Sequence, residues 1–252
     1  SIPNLHLQDT GQCFPLFTYE QVENREQLSL MEAGEDFKKK EAISDSILTD
    51  FRRTYDVKIT KEDIFYYVYG ILHSPEYKQR FESDLKKMLP RIPFAEDFWA
   101  FSKAGRELAE WHLNYETVEP YPLEEASDKR VLAPKEHYEV QKMVFGKRNK
   151  QVDKTTIIYN SRITLSGIPL EAYEYVVNGK SAIEWIMERY AKTTDKDSGI
   201  TNNPNDWSDD PRYIIDLVKR IVRVSVETVR IVNALPALNE MNVAEATLSN
   251  AR

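Results

Sequence analysis

The chain has 252 residues, 41% hydrophobic and 30% charged, enough to bury one large core or two small ones. Its net charge of −7 argues against a general nucleic-acid binder, whose domains are basic, yet permits one basic face on an acidic body. The single cysteine, Cys13, excludes an internal disulfide framework, and no apolar run approaches the roughly 20 residues that cross a bilayer. With no signal peptide at its start, the chain is expected in a reducing cytoplasm, and Ser1 in place of methionine suggests a piece of a longer protein.

Phe14-Pro15-Leu16-Phe17 reads as an edge strand in an extended opening, and residues 21–40 as a polar loop. A helix over Ala42–Tyr55 follows, with Ile43, Ile47, Leu48 and Phe51 on one side. Thr60 and Asp63 have capping-box spacing, and behind them Ile64, Phe65, Val68, Ile71 and Leu72 form an apolar face. The aromatic run Phe65, Tyr66, Tyr67, Tyr69 has helical spacing, which makes it core and not a base-stacking platform. Ser74-Pro75 starts the next helix, a hydroxyl cap before proline at the first helical position, running to about Met88. A third helix spans Ala95–Asn114, with Phe98, Phe101, Leu108 and Trp111 as its buried stripe. Pro120, Pro122 and Pro134 mark residues 119–135 as a linker or surface loop.

From Tyr138 the pattern turns to β, with strands near 140–145, 154–159 and 162–166. A short helix over Leu170–Val176 comes next, then one from the Ser181–Glu184 capping box through Tyr190, then a loop from Ala191 to Asp210. Asp210-Pro211 opens the last helix, to about Leu235; Val222, Val224 and Val226 alternate as in a strand, but Ile214, Leu217, Val218, Ile221, Ser225 and Val232 fit a helix better. The whole reads as α+β: a helical N-terminal half, a central antiparallel β-hairpin region and a helical C-terminal part.

Catalytic motifs are sparse. There is no GxGxxG for a dinucleotide or S-adenosylmethionine, and no GxxxxGK[ST] for ATP phosphates. Asp210-Pro211-Arg212-Tyr213 is a weak likeness to a methyltransferase Asp-Pro-Pro-Tyr loop, and helix capping accounts for it. Asp195, Asp197 and Asp206 lack a calcium loop's central glycine and final glutamate, so backbone turns explain them better. The histidines are scattered, and Glu125-x-x-Asp128-Lys129 is a chance match to a nuclease pattern in an acid-rich stretch.

Charge is segregated along the chain. Seven acids and no Lys or Arg lie between Glu107 and Asp128, whereas Lys142–Lys154 holds five basic residues against one Asp. Strand, basic tip, strand is the pattern of a hairpin offering cations to an anion, with solubility as the competing reason for each residue alone. Its candidates are Lys142, Lys147, Arg148, Lys150 and Lys154 for phosphates, and Asn160 and Arg162 on the following turn for bases. The polar loop Thr193–Trp207 adds Lys196, Ser198, Asn202 and Asn203, against the equal alternative of a folded loop pinned by Trp207.

Four stretches carry a family resemblance: DIFYYVYGILHSPEYKQRFESDLKKMLPRIPF from Asp63, FWAFSKAGRELAEWHLNYE from Phe98, TTIIYNSRITLSGIPLEAYEYVVNGKSAIEWIMERY from Thr155, and TTDKDSGITNNPNDW from Thr193. Together they resemble the C-terminal specificity domain of Type ISP restriction-modification enzymes over roughly Ala42–Leu235. The resemblance implies a part of one large polypeptide that also holds a nuclease, a helicase-like ATPase motor and an adenine-N6 methyltransferase, using S-adenosylmethionine, ATP and Mg. This part would be non-catalytic and recognise an asymmetric site in double-stranded DNA, in a bacterial or archaeal cytoplasm, with the upstream methyltransferase and motor domains as partners and no membrane. On that footing residues 1–40 are a linker from an upstream domain and 41–236 the recognition domain, helical over 41–135 and β-containing over 136–236. Residues 237–252 are a frayed tail. The isolated piece is expected to bind DNA weakly, with residues 107–128 facing away from it. The rivals are a protein-interaction or coupling module and, less well supported, a nuclease.

Overall fold

A computed structural model describes residues 14–21, 37–85, 90–128 and 133–241. The chain divides into two compact units, one of residues up to Arg106 together with those from Pro236, the other Glu107–Leu235.

In the first unit β1 (Phe17–Gln21) pairs antiparallel with β2 (Phe37–Glu41), so part of the expected 21–40 loop is a strand, and 22–36 lies outside the described residues. Helix α1 (Asp45–Thr54) begins at Ser44, whose hydroxyl accepts from the Ile47 amide. Of its expected stripe Phe51 is buried, but Ile47 is 43% exposed. Helix α2 (Lys61–His73) starts at the predicted capping box: the Asp63 amide donates to Thr60 Oγ1 at 3.1 Å, and the Thr60 amide donates back to the Asp63 carboxylate at 3.0 Å. The helix expected from Pro75 to Met88 is two pieces, α3 (Pro75–Arg80) and α4 (Glu82–Leu85), interrupted at Phe81; residues 86–89 lie outside the described set.

An aromatic core joins these helices to α5 (Phe98–Leu113). Tyr67 stacks on Phe98 with ring centroids 4.9 Å apart, and Phe51 meets Tyr67 edge-on at 5.6 Å. Tyr67 is fully buried, and its hydroxyl is satisfied by donating to the Pro93 carbonyl and accepting from the Ala95 amide. Helices α2 and α5 touch through glycine. A Cβ on Gly105 would stand 1.8 Å from the Tyr66 carbonyl oxygen, and one on Gly70 2.3 Å from that of Phe101. The stretch after Pro236, expected to fray, is tied down as far as Met241: Leu238 is buried, its amide donates to Glu76, and Arg80 pairs with Glu240 at 2.7 Å. Residues 242–252 lie outside the described set.

The second unit is built on a four-stranded antiparallel sheet. Its strands are β3 (Glu124–Ser127), β4 (Val144–Arg148), β5 (Gln151–Ile158) and β6 (Ile163–Ser166), in the order β3-β6-β5-β4. Residues 119–135 are therefore not all loop: despite its prolines the segment supplies an edge strand, because Glu124–Ser127 finds an open partner in β6. Pro134 opens α6 (Pro134–Tyr138), so Tyr138 ends a helix where β structure was expected. After β6 comes a 3-10 turn over Leu170–Glu174, shorter than the predicted helix. The small hairpin β7 (Val176–Val177) and β8 (Lys180–Ser181) follows, then α7 (Ala182–Arg189), capped by Ser181 and Glu184 as predicted.

The 191–210 loop holds the short pair β9 (Thr193–Thr194) and β10 (Thr201–Asn202) and a 3-10 turn at Pro204–Asp206. The last element, α8 (Tyr213–Asn233), is helical throughout, including the alternating valines. It starts at Tyr213, later than Pro211, because the Asp210 carboxylate takes the Arg212 amide in a turn before the helix. Its apolar face, with Ile215, Val218 and Val222 fully or nearly fully buried, shares one core with Ile157, Ile163 and Leu165 of the sheet and Ile183 and Met187 of α7. The fold is thus α+β, helices first, then the antiparallel sheet, then a closing helix, as expected.

The close approach of α2 and α5 is testable through Gly105→Ala. Helix propensity alone predicts a gain of about 1 kcal/mol. The clash with the Tyr66 carbonyl predicts instead a loss of about 3 kcal/mol in chemical denaturation, and a stabilised variant would refute the contact.

Candidate nucleic-acid interface

The hairpin read from the sequence is present, and its geometry is specific. β4 and β5 join at Asn149 (φ 52°) and Lys150 (φ 67°), both left-handed, as a tight two-residue turn of the I′ kind requires. Lysine in that conformation costs roughly 1 kcal/mol relative to glycine. Lys147, Arg148, Asn149 and Lys150 are all exposed on the tip.

Below the tip the register jumps. Gly146 pairs with Asp153 but Phe145 with Ile157, so Lys154, Thr155 and Thr156 bulge from β5. The Asp153 carboxylate caps the bulge by accepting from the amide and hydroxyl of Thr155, and these hydrogen bonds hold its pKa below the ordinary carboxyl value. Gly146 allows the crossing, since a Cβ there would lie 2.9 Å from Thr156.

From the bulge the Lys154 amine pairs with Glu184 at 3.0 Å and lies 5.0 Å from the Tyr173 ring centre, so this cation braces the hairpin against α7. Glu184 holds the Ser181 cap as well, and hydrogen bonds from Ser181 followed by Lys154 keep its carboxyl below the ordinary range.

The Asn160 side chain is spent inside the fold. Its amide donates to the His137 and Glu139 carbonyls, each at 3.0 Å, and its oxygen accepts from the Arg162 and Ile163 amides, each at 2.8 Å. All four positions are thus consumed, two within the β5–β6 turn and two by the backbone around the end of α6, at the opposite end of β5 from the basic tip. Arg162 shares that far end and donates to the Glu136 carbonyl.

The 193–207 loop is anchored at the foot of the hairpin. The Lys192 amide donates to Gln141 (2.9 Å), and the Asn205 side chain both accepts from and donates to the backbone of Val140 (2.9 and 2.8 Å). Asn205, not the half-exposed Trp207, is the main pin; Trp207 meets Tyr190 edge-on beneath Arg189. Ser198 is engaged with Asp195, whose carboxylate also takes two backbone amides of the turn, and Asn203 with Asp206 and Asn205. Lys196 and Asn202 are exposed. The structure therefore groups Lys142, Lys147, Arg148, Lys150, Lys196 and Asn202 as outward side chains on the hairpin and its neighbouring loop.

The acidic stretch is used internally. Glu125 is bridged by Lys219 (2.7 Å) and Arg212 (3.1 Å), and Arg212 also pairs with Asp216 (2.9 Å) and donates to the Tyr138 hydroxyl (2.6 Å). Glu107 pairs with Arg230, and Arg220 donates to the Val118 carbonyl. Neither the chance nuclease pattern nor the capping explanation of Arg212 foresaw this cluster, because its members lie about 90 residues apart in sequence. Burial alone would push the Glu125 carboxyl up, but hydrogen bonds and charge from Arg212 and Lys219 outweigh it and hold it below 4.5. The same carboxylate raises the already high Arg212. Among the described residues no group of three or more His, Cys, Asp or Glu is placed to hold a metal ion, and no helix is long and apolar enough to cross a membrane.

Comparison with known proteins adds a family. Residues 1–217 match the model of the Type ISP C-terminal specificity domain. Among solved structures, the ATP-dependent Type ISP restriction-modification enzyme LlaBIII bound to DNA is 36% identical over 90% of this chain, with a TM-score of 0.76. A nuclease-deletion mutant of the Type ISP enzyme LlaGI, in complex with a DNA substrate mimic, is 43% identical over 73% of the chain at TM-score 0.65. The DrdV–DNA complex is 34% identical over 82% at TM-score 0.70. The chain spans 14% of the LlaBIII and LlaGI chains and 21% of the DrdV chain. No curated protein matches it.

The Glu125 cluster sets an acid limit on this unit. Because the folded carboxyl titrates below 4.5, its contribution is complete above that pH and is lost as pH falls through the folded value. Glu125→Gln is expected to lower stability at pH 7 by about 2 kcal/mol, less than for a fully buried pair because Glu125 and Arg212 are partly exposed, and to make the acid-side decline shallower. Denaturation series at pH 7 and pH 4 measure both effects, and an unchanged acid-side decline would remove Glu125 as its cause.

Proposed function

Because the chain belongs to the family of Type ISP C-terminal specificity domains, we propose that it recognises the DNA target of a larger restriction-modification polypeptide, without catalysing a reaction itself. The parent would supply an adenine methyltransferase, an ATP-driven motor and a nuclease from other domains, with S-adenosylmethionine, ATP and Mg as their cofactors.

The observation that carries the reading for this chain is the hairpin tip, where Lys147, Arg148 and Lys150 project together from a strained turn. A two-stranded β ribbon fits the major groove, and lysines on its tip meet phosphates as point charges. Keeping lysine at a left-handed position where glycine would be more stable fits a residue held for its charge. Base reading falls to Arg148, Asn149 and Asn202, whose side chains are exposed, and not to Asn160, whose capacity is spent. The acids of 107–128 do not oppose this surface as strongly as their count suggests, since Glu107 and Glu125 are neutralised by cations of α8.

Two outcomes test the reading. In the intact parent enzyme, reversing Lys147, Arg148 and Lys150 to glutamate should abolish methylation at the mapped site while ATPase activity without DNA persists. Unchanged site choice and DNA affinity would sink the assignment and favour a protein-docking hairpin. Separately, Lys150→Gly should raise thermal stability yet weaken binding and lower the slope of log affinity against log salt by roughly 1. Equal affinity and slope in that variant would make the lysine's conformation irrelevant to DNA.

A further inference from the structure

Between β4 and α7 lies a cleft of about 600 Å³. Met143, Phe145, Met187 and Ala191 form its apolar side, and Lys142 and Lys192 stand among its polar lining. These lysines are 50 residues apart in sequence, and the hydrogen bond from the Lys192 amide to the Gln141 carbonyl brings them to one mouth.

The acids of the cleft are already used. Glu184 holds Lys154 with one carboxylate oxygen and Ser181 with the other, while both oxygens of Glu188 accept from Lys180 at 2.7 Å. Among the described residues neither Lys142 nor Lys192 has an acidic partner, and both are exposed. Two ammonium groups without an acidic partner therefore flank an apolar wall and are available to attract an anion. The space is far larger than an inorganic phosphate needs and falls within the roughly 300–1,000 Å³ of organic-ligand clefts.

Resting on the DNA-recognition reading, we propose that this cleft is a second phosphodiester site for the same duplex. Lys142 and Lys192 would take the phosphate, and the apolar wall the adjoining deoxyribose. The five residues of β4 separate this foot from the tip by about 17 Å, against a major groove about 12 Å wide. A ribbon lying in the groove can thus set its tip on one backbone and its foot on the other. Lys192 and the cleft extend the interface beyond the hairpin itself.

The test compares Lys142→Ala/Lys192→Ala with Lys147→Ala/Lys150→Ala in the intact parent enzyme, measuring affinity against salt on a duplex with the mapped site and on a scrambled one. The cleft variant should weaken both complexes alike and lower the salt slope by roughly 1 per lysine. Glu188→Gln, which releases Lys180 to the rim, should steepen the slope. If the tip variant lowers the slope and the cleft variant does not, the cleft proposal is overturned while the recognition reading stands. If neither does, both fall. Inorganic phosphate shifting the NMR signals of Lys142 and Lys192, with DNA affinity intact in the cleft variant, would make this a free-anion site instead.

Discussion

One carboxylate holds the second unit in register. Glu125 sits on the edge strand β3 and receives Lys219 from the second turn of α8 and Arg212 from the residue just before that helix, so the sheet edge and the start of the long helix are tied together there. Arg212 passes the connection on to Asp216 and to Tyr138 at the end of α6, just before the hairpin begins. A charge cluster of this kind is expensive to desolvate and is favourable only when its geometry is complete. It places α8 over the sheet in one way, and the apolar contacts of Ile215, Val218 and Val222 with Ile157, Ile163 and Leu165 then fill that arrangement.

The same pairing reshapes the electrostatics. Along the chain the acids of 107–128 and the bases of 142–154 look like opposite poles. In the folded unit α8 returns its cations to the acidic segment at Glu107 and Glu125, and α7 offers Glu184 to the hairpin's Lys154. Among the described residues, the cations left facing outward on the hairpin and its neighbouring loop include Lys147, Arg148 and Lys150 at the tip, Lys142 and Lys192 at the foot, and Lys196. Net charge says little about where a partner binds, because internal pairs leave it at −7 while changing which charges face outward, and that outward pattern is what DNA would meet.

The elements legible beforehand were those whose signals are local. Thr60–Asp63 and Ser181–Glu184 close their capping boxes because a helix start needs only residues three apart. The hairpin was legible because strand alternation and a basic tip occupy a dozen consecutive positions. Tyr67 was read correctly as core from its helical spacing alone. Edge strand β3 was missed because its partner β6 lies about 40 residues away and the prolines around it pointed to loop.

Residue chemistry therefore set the α+β class, the capped helices and the cationic hairpin, since each follows from short-range spacing or composition. Which polar side chains remain available was settled by tertiary packing. Asn160 and Asn202 are the same letter in similar polar stretches, yet one is saturated by backbone of two separate segments and the other is exposed. Lys154 and Lys142 belong to one basic run, but a three-residue bulge delivers only the first to Glu184. A hydrogen bond or an ion pair depends on where distant backbone places its partner, and one-dimensional spacing carries no record of that distance.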